Sequence, residues 1–190
     1  MINEKEELWY QRTFDVPSAW RGKQILLHFG AVDWKAEVWV NDVKVGEHTG
    51  GFTPFYFDIT SVLNKGNNDL VVKVWDPSDR GEQPRGKQIA NPHGIWYTPV
   101  TGIWQTVWLE PVATQYITNL KTTPDIDNNS VKVEVAANTT SADKVEVKVF
   151  DGKNLVAKGA ALNGVPVELA MPANAKLWSP DSVSYTHLTL

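Results

Sequence analysis

The feature that most constrains this chain is the period of its apolar residues, which is two rather than 3.6 almost throughout. Leu8, Tyr10, Phe14 and Val16 alternate with Trp9, Gln11, Thr13 and Asp15, and Ile25, Leu27 and Phe29 continue the pattern. The longest run is 32–40, with Val32, Trp34, Ala36, Val38 and Val40 on one side and Asp33, Lys35, Glu37 and Trp39 on the other. Successive side chains of a strand point to opposite faces, so these runs predict half-buried strands. Leu70, Val72 and Val74 predict another, as does the segment 104–109. Arg12 interrupts the first apolar face, as a paired internal charge or as a twist of the strand.

The punctuation agrees with that reading. Asn41-Asp42 lies between two alternations and both residues tolerate left-handed backbone angles, which predicts a tight hairpin turn into 43–45. Gly50-Gly51 opens a strand over 52–59, whose Pro54 points to an edge or a bulge. Asp58-Ile59-Thr60 followed by Val62-Leu63 predicts one capped helical turn. Short strands, regular turn signals and no crossover helices predict an all-β fold, with a jelly-roll sandwich over 1–112.

Glu110-Pro111-Val112 reads as a linker, after which tryptophan nearly vanishes and Thr, Asn, Val and Lys take over. Strands are predicted over 116–122, 131–137, 145–150, 155–160 and 165–170, with turns at 125–129 and 151–152. Val131, Val133 and Val135 and then Val145, Val147 and Val149 read as matched arms of a hairpin with complementary outward charges. The pattern predicts an immunoglobulin-like sandwich over 113–190, about 78 residues where such folds take about 100, hence an incomplete one.

Composition removes several functions. With 42% hydrophobic and 21% charged residues the chain is of globular type. A net charge of −4 with both signs scattered lacks the basic patch of a nucleic-acid binder. No apolar run approaches membrane-spanning length, and residues 1–7 lack the apolar stretch of a secretory signal, so the compartment stays open. Cysteine is absent, which excludes disulfides and thiolate metal sites. The histidines His28, His48, His93 and His187 are isolated without metal-ligand spacing, and no cofactor is implied.

The chemistry-bearing stretch is 84–110, which begins as about twenty residues without either period, long for a loop inside a compact domain. Its Ile89, Ile95, Trp96, Tyr97, Val100 and Ile103 are too apolar for a disordered segment. Trp96 and Tyr97, flanked by Arg85, Lys87, Gln88, Asn91 and His93, would give a sugar ring faces to stack on and donors for its hydroxyls. The alternative is that these aromatics are core. Arg85, Gln88, His93, Trp96 and Tyr97 are therefore the candidate substrate-binding residues. The carboxylate pairs Asp33 with Glu37 and Asp79 with Glu82 could suggest glycoside hydrolysis. Asp33 and Glu37 read as a solvated sheet face and the Asp79 region as a local ion pair. No serine lies in a G-x-S-x-G elbow, so no catalytic residue is predicted.

The motifs L-W-Y-Q-R-T-F-D-V-P, L-H-F-G-A-V-D-W-K-A-E-V-W-V-N, G-G-F-T-P-F-Y-F-D-I-T, V-K-V-W-D-P, P-R-G-K-Q and T-G-I-W-Q-T-V-W-L-E-P-V closely resemble the N-terminal sugar-binding domain of glycoside hydrolase family 2. The family includes β-galactosidases, β-glucuronidases and β-mannosidases. Residues 112–180, ending in Leu177-Trp178-Ser179-Pro180, are similar to the family's following immunoglobulin-like domain. The resemblance implies a retaining, exo-acting glycosidase whose catalytic glutamates lie in a later TIM barrel. That barrel would be the partner of this non-catalytic part, and a β-glycoside its carbohydrate ligand. Where several family members carry an acidic sugar contact, this chain has Trp96, which favours stacking. The end, V-S-Y-T-H-L-T-L over 183–190, departs from the family and reads either as a last strand or as foreign sequence. An independent carbohydrate-binding module, or a structural or adhesive pair of sandwiches, would carry the same strands.

Overall fold

The computed structural model describes residues 5–175 and Leu177. The expectations for Trp178, Ser179 and Pro180 and for 183–190 lie outside the described residues. The chain divides into two compact units, Met1–Thr114 and Gln115–Leu190. About half of the described residues are strand, turns and irregular connections make up nearly all the rest, and the only described helices are two single 3-10 turns.

In the first unit β1 (Glu7–Phe14), β7 (Asn68–Trp75), β4 (Lys35–Val40) and β5 (Val43–Thr49) form a four-stranded sheet in that order. A three-stranded sheet follows the order β6 (Phe55–Asp58), β2 (Gln24–Phe29) and β9 (Val107–Val112). A short ribbon pairs β3 (Val32–Asp33) with β8 (Gly102–Ile103). Every pairing is antiparallel. The inward residues are those the alternation predicts. Ile25, Leu27, Phe29, Val32, Ala36, Val38, Val40, Val72 and Val74 form one core with Ile59, and Leu8, Tyr10, Phe14 and Leu109 pack against it. Each large aliphatic or aromatic side chain removed from water contributes about 1.5–3 kcal/mol.

Local chemistry sets the ends of these strands. Asn41 and Asp42 have φ of 50° and 65°, as a primed hairpin turn requires. The Asp58 carboxylate accepts the Thr60 N–H at 2.9 Å and starts the 3-10 turn Thr60–Val62. Pro54 precedes β6, an edge strand, where a missing N–H costs least. Arg12 lies exposed on edge strand β1, so the interruption of the apolar face is a solvated charge.

The structure corrects the sequence reading in several places. The run 32–40 is two strands broken at Trp34, because β4 pairs with β5 and β7 whereas β3 pairs with β8. The strand predicted from 52 begins at Phe55, since the chain is still bending through Gly51 and Phe52. The strand predicted from Trp104 begins at Val107, since Trp104 and Gln105 both turn their N–H groups onto the Ala31 carbonyl.

The second unit has β10 (Ile117–Asp125), β11 (Ser130–Ala137) and β14 (Val167–Ala170) in one sheet, with β11 central, and β12 (Lys144–Asp151) with β13 (Asn154–Leu162) in another. β11 and β12 are therefore not arms of one hairpin, as their matching charges suggest. Val131, Val133 and Val135 meet Val145, Val147 and Val149 across the sandwich, in a core with Val167 and Leu169. Two valine faces that must bury each other carry the same period whether they pair or stack.

Candidate functional site

The connection between β7 and β8, residues 76–101, has no strand or helix among its residues, yet it is fastened at several points. Its base is a pair of buried carboxylates. Asp33, at the end of β3, is 7% exposed, and Asp76, just past β7, is 4% exposed. Asp76 accepts the Ser78 N–H at 2.8 Å and the Thr101 hydroxyl at 2.9 Å, so it closes the loop by gripping both of its ends. Burial, reinforced by the nearby Asp76 charge, pushes the Asp33 carboxyl up to about 6 against a hydrogen bond from Gln88 that lowers it. The other end of the Gln88 amide accepts the Val100 N–H at 2.5 Å. Asp33, Gln88 and Val100 thus form a relay that pins the middle of the loop to the ribbon beneath it.

The rest of the loop is held by its own backbone. Tyr97 N–H reaches the Lys87 carbonyl at 2.7 Å, Ile89 N–H reaches the Tyr97 carbonyl at 3.1 Å, and Trp96 N–H closes a turn on His93 at 3.0 Å. Asp79 accepts the Ala90 N–H at 3.1 Å, and its backbone carbonyl accepts the Arg85 guanidinium at 3.0 Å. Gly51 passes so close under the roof that a Cβ there would lie 2.5 Å from the Asp33 carboxylate.

The five predicted binding residues divide into two sets. Arg85 and Gln88 turn inward: both line a small cavity with Asp33, Asp76, Ser78 and Gln83. Their polar groups are engaged in holding the loop. His93, Trp96 and Tyr97 are on the outside, with Trp96 36% and Tyr97 64% exposed. The His93 Nδ1 is bonded to the Asn91 carbonyl at 2.8 Å, and Lys87 Nζ stands 5.9 Å over the Tyr97 ring. The aromatics of this loop are surface, not core.

Asp33 departs from the expectation of a solvated sheet face. The period-2 phase does turn it away from the core, but the 76–101 loop roofs that side of β3. Glu37 behaves otherwise. It lies on the open face of the four-stranded sheet between Lys44 at 2.6 Å and Lys73 at 2.5 Å. Hydrogen bonds from Lys44 and then Lys73 lower its carboxyl to about 2. Sequence reasoning missed the Asp33 and Asp76 pair because they are 43 positions apart, and the one cue was an acid at each strand end facing a loop of unusual length.

A family model described as "Glycosyl hydrolases family 2, sugar binding domain" matches residues 1–110. A beta-galactosidase of Thermoanaerobacter pseudethanolicus is 35% identical over 149 residues, 77% of this chain and 19% of that protein. The human beta-glucuronidase is 27% identical over 197 residues, 91% of this chain and 30% of that one. Among solved structures, the Ruminococcus gnavus β-glucuronidase in complex with D-glucuronic acid superposes with a TM-score of 0.69 at 26% identity, over 90% of this chain and 31% of that one. The chain thus spans from 19% to 31% of the length of these relatives. No described helix is long and apolar enough to cross a membrane.

Proposed function

We propose, from the premise that this chain belongs to glycosyl hydrolase family 2, that it is the non-catalytic, sugar-facing front of a β-glycosidase. In this reading the jelly roll of residues 1–112 carries the loop as one wall of a substrate entrance, and the immunoglobulin-like unit after it acts as a spacer. The reacting carboxylates, two glutamates working by a retaining mechanism, belong to a barrel elsewhere in the longer protein. The substrate is a β-galactoside or β-glucuronide, as the names of the relatives suggest.

One observation carries the reading: a long loop without regular structure is fixed from below by buried carboxylates while its Trp96 and Tyr97 rings stay exposed. Ordering a loop costs entropy, and exposing large rings forgoes burial, so both together mark a surface prepared for a ligand. Rings held in place lose little further freedom when a sugar stacks on them. Arg85 and Gln88 serve as positioning residues, and His93, Trp96 and Tyr97 make the contact.

The test uses p-nitrophenyl β-galactoside and β-glucuronide. The 190-residue chain should release no nitrophenol, and turnover by it alone would end the non-catalytic assignment. In a longer chain that includes the barrel, Trp96→Ala with Tyr97→Ala should lower kcat/KM about tenfold or more at unchanged Tm. Unchanged kinetics would remove the loop from the substrate site.

A further inference from the structure

A second aromatic surface, which shares no lining residue with the 76–101 loop, is found on the first unit alone. A cleft of about 710 Å³ is lined by residues that include Gly30, Phe52, Trp104, Gln105, Thr106 and Trp108. We propose that this cleft is a carbohydrate subsite that takes a neutral, β-linked sugar chain, separate from the contact made by Trp96 and Tyr97. The proposal rests on the sugar-handling family of the chain but not on the role of the loop.

The rings of the cleft are built to present their faces. Trp104 is 51% exposed, yet its indole N–H donates to the Gly51 carbonyl at 2.7 Å and Phe52 meets it edge-on at 6.1 Å. Trp108, 43% exposed, lies flat on the His28 ring at 4.8 Å and 5°. Tyr56 covers the same histidine at 5.3 Å. The Glu110 carboxylate stands 2.8 Å from His28 Nε2, out of hydrogen-bond alignment, so the ring is positioned by its stacking. Both indoles are therefore backed and fixed before any ligand arrives.

Polarity defines the ligand. The lining contains no charged side chain, whereas the catalogue of its polar groups, the Gln105 amide and the Thr106 hydroxyl, suits sugar hydroxyls. Gly30 leaves room for the Gln105 side chain, because a Cβ at position 30 would stand 2.8 Å from Gln105 Cβ and 2.9 Å from its Oε1. An anionic ligand such as a nucleotide or an acidic sugar would meet no cation here. A β-linked sugar chain offers apolar C–H faces to the rings and hydroxyls to Gln105 and Thr106. The volume lies in the range of small-molecule sites.

The test is a titration of the 190-residue chain with β-1,4-galactotetraose and with cellotetraose, followed by tryptophan emission. A saturable change is expected with at least one of them, with half-saturation on the order of 1 mM. Trp108→Ala should weaken it about tenfold or more, Gln105→Ala should weaken it less, and Trp108→Tyr should largely retain it. In a Trp96→Ala, Tyr97→Ala background, where the loop's own contact is removed, a saturable change should remain and should still be weakened by Trp108→Ala, so failure of the loop's assigned role in kinetics would not touch this result. No saturable change with either sugar would overturn the proposal. So would a change lost with the loop rings and kept in Trp108→Ala. Protection of Trp108 from acrylamide quenching in the longer chain without sugar would also overturn it, by showing a protein neighbour on the cleft.

Discussion

Replacing Asp33 by Asn should make the first unit more stable at neutral pH and leave it unchanged in acid. Asp33 is 7% exposed and its carboxyl is raised from 3.8 to about 6, first by burial and then by the Asp76 charge. Two pH units at about 1.4 kcal/mol each make the ionised side chain unfavourable by about 3 kcal/mol in the folded state. The sign follows from the direction. A carboxyl raised on folding contributes most to stability below pH 3.8, loses that contribution as pH rises to about 6, and stays at its least favourable above it. Asn cannot ionise but still offers an oxygen to Gln88, so the relay to Val100 survives. Some of the cost relaxes through Gln88, so a gain of about 1–3 kcal/mol is expected at pH 7.5. Urea unfolding followed by tryptophan emission reads it, because eight of the nine tryptophans lie in the first unit. The difference between variant and wild type should shrink to near zero by about pH 3, below the unfolded carboxyl's 3.8. A variant less stable than wild type at pH 7.5, or a difference constant with pH, would refute the reasoning.

Three further outcomes follow from contacts already described or from equally close ones. Gly102→Ala should destabilise the first unit by about 2 kcal/mol or more, since φ there is 118° and the new Cβ would stand 2.1 Å from the Tyr10 hydroxyl. Urea unfolding checks it, and a loss below 0.5 kcal/mol, roughly the scale of a neutral surface change, would contradict it. Glu37→Gln should cost about 1–2 kcal/mol after allowing for solvent screening on a sheet face. Because the Glu37 carboxyl is lowered from 4.5 to about 2, the loss should be full above pH 4.5 and fade as pH falls towards 2, in the same assay run across pH. Gly159→Ala would bring a Cβ to 2.7 Å from both Val167 and Leu169 and should lower the stability of the second unit by about 1–3 kcal/mol. Circular dichroism should register that change while the tryptophan emission of the first unit holds its midpoint.

The sequence disclosed the strands well and their neighbours poorly. Alternation identified the inward faces of β1, β2, β4 and β7, because burial on one side of a pleated strand leaves period 2 in the chain. Turn chemistry located Asn41-Asp42 and the Asp58 cap for the same local reason. Pairing is not local. The valines of β11 and β12 carry complementary charges on their outer faces, yet they belong to different sheets. Asp33 shows the same limit within the site: its alternation phase correctly excluded it from the core, but no periodicity records that a loop beginning 43 residues later covers it. Composition did flag that loop, by its length and its rings, and the structure places Trp96 and Tyr97 at its surface. It could not separate Arg85 and Gln88, which hold the loop, from His93, which points outward.

The cost carried by Asp33 bears on why the loop is built as it is. A roof held only by apolar contacts would be more stable at pH 7, and Asn at position 33 would keep the hydrogen bond without the charge. The Asp33 carboxylate instead sits beside Asp76, which grips Ser78 and Thr101 at the two ends of the loop. Fixed acceptors of this kind define one geometry, whereas apolar packing tolerates sliding. A surface that must hold two indole or phenol rings at set angles needs the first property more than the second. Breaks in local sequence rules gather where a chain trades stability for geometry, and in this unit the buried acids, the long unpatterned connection and the exposed rings of Trp96 and Tyr97 occur within one connection and the ribbon beneath it.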